Sequence, residues 1–290
     1  MGALAIVAWS CFGMPMASNH VTPPFLAIAV VFTSSTLTLL LWRLLRGQGL
    51  RGLLPIPLAT LSLGFIGLFF SNSLYPVSLS LGGAPVSVNI AALSWPVFMV
   101  IFVVGFRVAR ATWLDALAML VGLAGVVLLA TKGGGVSIDW AVLPAFIGAL
   151  CWAGYSALRS KVPAGPPDAM LLFVAVSGIA SWLVTMMAEP GASAPPDELL
   201  RLVLIGILPV GLANLAWDFA TRYGDPVLLA GMSFLEPVAS TALIAVVLSK
   251  PVSFSDYAAL LLILSAVACS IMSERLRRKW SSPQAAASPS

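Results

Sequence analysis

The stretch from Trp95 to Ala130 reads WPVFMVIFVVGFRVARATWLDALAMLVGLAGVVLLA, and the stretch from Glu236 to Ile271 reads EPVASTALIAVVLSKPVSFSDYAALLLILSAVACSI. The second is the first shifted by 141 residues (236 minus 95) without a gap. Pro96-Val97 falls on Pro237-Val238, Asp115 on Asp256, and Ala118, Leu120, Leu123 and Val126 on Ala259, Leu261, Leu264 and Val267. Both copies run apolar helix, polar break, Asp, apolar helix, with a Pro-Val near the start. An internal repeat of this kind implies a protein made of two related halves.

Composition says where the halves reside. The chain has 290 residues, is 60% hydrophobic with mean hydropathy +1.01, and carries 9% charged residues. Soluble domains carry about 25%, so this chain belongs in a bilayer. Cys11, Cys151 and Cys269 lie inside apolar segments and read as small buried hydrophobes. The net charge of +4 comes from basic residues bordering apolar spans, which excludes a nucleic-acid-binding domain. The first segment lacks the positive n-region of a signal peptide. Its LAIVAWSCFG resembles FIGALCWAGYS around Trp152, so it reads as a first transmembrane helix.

Ten apolar segments follow, at roughly 3–18, 24–43, 54–79, 84–105, 112–131, 140–159, 168–188, 199–220, 226–249 and 256–273. At 1.5 Å per residue each approaches the length needed to cross a ~30 Å core. None alternates with the period of two that barrel strands require. The expected fold is therefore all-α and polytopic, with ten transmembrane helices. The expected units are a first five-helix repeat at 1–131, a loop at 132–139, a second repeat at 140–274, and a basic then disordered tail at 275–290. Five is odd, so the second copy enters the membrane inverted. Inverted repeats build alternating access in many secondary transporters, with the substrate site between the copies near the midplane.

Lys and Arg set the orientation. With both termini cytoplasmic, twelve of them (Arg43, Arg46, Arg51, Arg107, Arg110, Arg159, Lys161, Arg222, Arg275, Arg277, Arg278, Lys279) fall inside and three (Lys132, Arg201, Lys250) outside.

Several chemistries have no support. There is no GxxxxGK phosphate loop for ATP, no HExxH, no GxSxG and no Cys/His cluster, so no cofactor or metal is expected. The one histidine, His20, reads as a loop residue. All fifteen Lys and Arg lie at or near helix ends, which favours neutral, zwitterionic or cationic cargo over strong anions.

The candidate site is aromatic. Trp42, Trp113, Trp140 and Trp280 lie at helix ends, where the interfacial belt explains them. Trp9, Trp95, Trp152 and Trp217 lie deeper, in helices that the repeat pairs with one another, and Tyr155 shares a helix face with Trp152. They suggest a central chamber that suits apolar side chains and cations. Asn72 and Asn214 are buried amides, read either as helix-to-helix contacts or as substrate donors. Asp115 and Asp256 read as helix N-caps, and Asp218 as an ion-pair partner of Arg222 and a candidate coupling residue. Glu236 stands in mid-helix with no basic residue within ten positions. An ionised carboxylate at that depth costs about 2.5–3.5 kcal/mol on insertion scales. It is either protonated when the site is empty or paired with a cation arriving from solution, a substrate ammonium or a proton. Pro96 and Pro237 interrupt matched helices and read as hinges.

The segments LSWPVF and FLEPVASTALIAVVLSKPVSFSDYAALLLILSAVA, with AIVAWS at 5–10, AFIGALCWAGY at 145–155 and AW at 216–217, resemble the EamA-type carriers of the drug/metabolite transporter superfamily. Within that superfamily they are most similar to the bacterial aromatic amino-acid exporters. The resemblance implies a ten-helix carrier in the bacterial inner membrane that exports amino acids or similar small metabolites. Its partners would be a small-molecule substrate, the lipid bilayer and candidate protons. Glu236 departs from the uncharged residue, and Asp218 from the amide, that the resemblance leads one to expect. The alternatives are a carrier of cationic drugs, quaternary amines or nucleosides, and, in another class, a membrane-embedded enzyme or assembly factor.

Overall fold

The computed structural model describes residues 1–10, 22–131, 135–136, 139–247 and 253–280, with side chains of 243–247 and 280 left out of the description. Within these residues the chain is helical and holds no strand. In chain order the helices are α1 (Gly2–Ser10), α2 (Pro24–Leu45), α3 (Leu58–Ser80), α4 (Pro85–Gly105), α5 (Trp113–Thr131), α6 (Trp140–Leu158), α7 (Ala169–Ala188) and α8 (Pro196–Tyr223). They continue with α9, made of Pro226–Ser233 and Leu235–Val247, and α10 (Phe254–Trp280).

Eight of these, α2 to α8 and α10, are long and apolar enough to cross a membrane. The first expected span is described only over Gly2–Ser10, and its remainder lies outside the described residues, as do His20, Lys132 and Lys250. The ninth is a shorter apolar helix, broken at Phe234.

Local chemistry explains where helices begin. Proline opens α2, α4, α8 and α9, where its missing N–H costs nothing. The side chain of Asp225 caps α9 by accepting from the N–H groups of Val227 and Leu228. Asp115 and Asp256 do serve helix starts, but not as the N-cap residue itself. Asp115 Oδ2 accepts from the backbone N–H of Thr112 at 2.7 Å, and Asp256 Oδ2 from that of Ser253 at 2.9 Å. Each is the third residue of a capping box whose N-cap is Thr112 or Ser253. Helix α10 runs on to Trp280, because Arg277 ion-pairs with Asp115 at 2.5 Å and Asp225 at 2.9 Å. Residues 281–290 lie outside the described residues.

The packing sets α5 on α10, α2 on both α7 and α8, and α4 on α6 and, less extensively, on α9, while α3 lies on α6 and α1 on α8. The α2–α7 pair is antiparallel. Arg43 near the end of α2 meets Asp168 at the start of α7 at 2.5 Å, and Glu189 at the end of α7 accepts from the N–H groups of Phe25 and Leu26 at the start of α2. Antiparallel too are α5 and α10, since Asp115 opens one and Arg277 closes the other.

Four helices depart from regular α geometry. α4 breaks at Ser94 and α9 at Phe234, beside Pro96 and Pro237. A π-helical stretch interrupts α3 at Ile66–Phe70 and α8 at Gly206–Ala213. Each π stretch has a glycine where the neighbouring helix leaves no room for a side chain. A Cβ on Gly67 would overlap that of Tyr155, and one on Gly206 would overlap Ser34.

Candidate functional site

A cavity of about 800 Å³ opens between the helices. Its mouth is lined by Thr22, Gly83, Pro85, Glu198 and Arg201, at the starts of α2, α4 and α8. Arg201 ion-pairs with Glu198 there. Deeper in, the wall carries Trp9, Trp95 and Trp152, together with Asn72, Asn214 and Glu236. Six of the eight residues expected to bind substrate therefore face one space. The other two do not. Tyr155 and Trp217 are fully buried behind the cavity, as its floor.

The floor is one aromatic cluster. Trp217 lies 5.1 Å from Trp9, 5.6 Å from Trp95 and 6.5 Å from Trp152, ring centroid to ring centroid. Trp9 and Trp95 both meet Trp152 edge-on, at 5.9 and 6.3 Å. Edge-to-face pairs at such distances contribute about 0.5–1.5 kcal/mol beyond area burial. The indole N–H of Trp217 donates to Ser156 Oγ at 3.0 Å, which sets the ring's tilt.

Breaks in the helical ladder supply further anchors. A π-helical stretch leaves carbonyls without their usual donors, and such stretches recur at functional sites. Trp9 donates its indole N–H to the carbonyl of Pro209, inside the π stretch of α8, at 3.1 Å. Asn72 donates its amide to the Leu68 carbonyl, inside that of α3, at 2.8 Å. This leaves the side-chain oxygen of Asn72 for the cavity.

Behind the floor lies an ionic network. Asp218 Oδ1 accepts from Tyr155 Oη at 2.7 Å and from Arg159 Nε at 2.5 Å, while Arg222 is 3.7 Å from Oδ2. Arg159 and Asp218 are each 1% exposed. The expected Asp218–Arg222 pair is thus the weaker of two, and Arg159, from α6, is the principal partner. Sequence spacing could not reveal that contact, because 59 residues separate the two. Arg43–Asp168 and Arg277–Asp115 lie at this same end of the bundle, which is also where Gly2 packs against Leu229.

Glu236 sits on α9 two residues past its break, and its backbone carbonyl accepts from Ser10 Oγ at 3.2 Å. Among the described residues its carboxylate has no ion-pair or hydrogen-bond partner. Among the same residues no group of His, Cys, Asp and Glu is gathered closely enough to hold a metal ion.

Apolar spanning helices around a deep, largely apolar chamber with tryptophans in its wall define a membrane transporter for small molecules. The comparisons name the family. Residues 139–272 match the EamA-like transporter family. The chain is 31% identical over 252 residues to an aromatic amino acid exporter, YddG, of Ancylobacter novellus, covering 85% of this chain and 87% of that one. It is 26% identical over 279 residues to the aromatic amino acid exporter YddG of Escherichia coli, covering 91% and 92%. A solved crystal structure superposes with a TM-score of 0.85 at 29% identity, covering 95% of this chain and 96% of that chain. The chain belongs to the EamA-like transporter family.

Proposed function

We propose that this protein exports amino acids, aromatic and other apolar ones included, across the bacterial inner membrane by alternating access. The observation that carries the reading is a cavity with tryptophans in its depth, open at one end and closed at the other by Trp217 and the Arg159–Asp218–Tyr155 network. The known relatives, aromatic amino acid exporters, support amino acids as cargo.

The architecture we infer is ten spans in two inverted five-helix repeats, at 1–131 and 140–274. Support comes from the gap-free repeat, from the contacts of α2 with α7, α4 with α9 and α5 with α10, and from breaks and π stretches in corresponding helices. The Arg-rich end is cytoplasmic on the charge rule, with both termini there. The cavity then opens to the periplasm. Pro96 and Pro237 act as hinges, because each lies just past a helix break. Glu236 receives the substrate ammonium or a proton, and Asp218 holds the closed end.

Transport assays in proteoliposomes test the reading, with a panel of aromatic, apolar and charged amino acids. Uptake or exchange of aromatic and apolar members is expected. Glu236→Gln keeps shape and a donor but no titration, and should weaken amine-bearing substrates. If liposomes move no amino acid, the reading fails. A second reading, export of cationic drugs or quaternary amines, draws on the same carboxylate beside aromatic rings. Such compounds would then outcompete every amino acid.

A further inference from the structure

The repeat that matches the two halves places Trp95 and Glu236 at equivalent positions, since 95 plus 141 is 236. Both line the cavity beside the break of their helix. The symmetry is therefore broken chemically at its centre. One half offers an indole, which only donates hydrogen bonds, and the other a carboxylate, which accepts them when ionised.

The remaining indoles extend this division. Trp9 spends its N–H on the Pro209 carbonyl and Trp217 on Ser156 Oγ. Trp95 and Trp152 have no hydrogen-bond partner among the described residues, and what little surface they keep, 7% and 8%, belongs to the cavity they line. Helices α4 and α6, which carry them, pack directly on each other, and α9, which carries Glu236, packs on both α1 and α4. One wall thus has two uncommitted donors, and the α9 side has an uncommitted acceptor.

We propose that the cavity holds its substrate in one fixed polarity, with the carboxylate on the indole N–H groups of Trp95 and Trp152 and the ammonium on Glu236. The inference rests on the amino-acid reading above and deepens it. It explains how a carboxylate is held deeper than Arg201, the arginine that lines the mouth in an ion pair with Glu198. Two neutral N–H donors in a low-dielectric site suffice to hold an anion whose counter-charge is on the same molecule. The rings of Trp9, Trp95 and Trp152, backed by Trp217, then meet the substrate side chain.

The test uses the full-length protein in proteoliposomes with L-phenylalanine and L-methionine, each beside its methyl ester and its N-acetyl form. The ester lacks the carboxylate and the acetyl compound lacks the ammonium. Wild type should bind both blocked forms roughly tenfold more weakly than the parent, the scale of one lost charge-assisted contact. Trp95→Phe combined with Trp152→Phe keeps the rings and removes both N–H groups. It should weaken the amino acids roughly tenfold and leave the esters unchanged. Glu236→Gln should weaken the amino acids and esters but spare the acetyl compounds. Equal losses for amino acid and ester in the Trp→Phe variant overturn the inference. So does a wild-type protein that takes the ester as well as the parent, a result that needs no variant to fold. Absence of all amino-acid transport in wild type overturns the transport reading and this inference with it.

Discussion

Asp218→Asn isolates what closes the cavity. The carboxylate lies 2.5 Å from Arg159 and 2.7 Å from Tyr155, and Asp218 and Arg159 are each 1% exposed. The amide keeps an oxygen for Tyr155 but removes the charge, so Arg159 becomes a buried cation without its counter-ion. Removing one partner of a buried pair costs about 3–5 kcal/mol. That corresponds to roughly a 150- to 5,000-fold change in the balance between closed and open forms, at about 1.36 kcal/mol per tenfold. The reporter is a single cysteine at Ala157, on the turn of α6 between Tyr155 and Arg159 and 0% exposed, in a chain whose three native cysteines are replaced. A small thiol reagent should modify it at least tenfold faster in Asp218→Asn. The paired change Arg159→Met with Asp218→Leu removes both charges and should restore slow labelling, because apolar replacements of buried pairs are often neutral or stabilising. An unchanged rate in Asp218→Asn, in protein that stays monodisperse and helical, would refute the gate.

Other consequences can be measured independently. Trp152→Ala removes edge contacts to Trp9 and Trp95 and should weaken apparent affinity for an aromatic amino acid by about 0.5–1.5 kcal/mol beyond lost area. Unchanged affinity would make the ring a packing group alone. A cysteine at Ala192, in the loop 189–198, should react with an impermeant thiol reagent in intact cells, and resistance there would reverse the orientation. Gly67→Ala drives a methyl into Tyr155 and should lower stability by about 1–3 kcal/mol in thermal unfolding, whereas Gly49→Ala, with open space around it, should not.

The sequence carried the helices and their breaks well, since long apolar runs, Pro96 and Pro237 act locally. It also brought Trp9, Trp95, Trp152 and Glu236 forward, and all four line the same cavity. The π stretches were not legible: Ile66–Phe70 and Gly206–Ala213 read as ordinary apolar helix, and only packing against α6 and α2 reveals them. The same holds for Arg159, which looks like a helix-end cation until the fold brings α8 across α6. Tyr155 and Trp217 were grouped with the wall for a related reason. Helical spacing shows a shared face but not depth along the cavity axis. The contacts of Arg277 were equally illegible, because its partners lie 162 and 52 residues away.

The pinning of α2 to α7 at both extremities has a mechanical corollary. A rod clamped at its two ends cannot rock against its neighbour, so this pair behaves as a chassis. The irregular members α3, α4, α8 and α9 are the limbs, each carrying a joint about midway along its length. Those joints all lie near the depth of the tryptophan cluster. On the proposed transport reading, cargo seated there would touch the joints as well as the Ala27, Ile28 and Val31 face of α2, so its arrival and departure would act where limbs meet chassis.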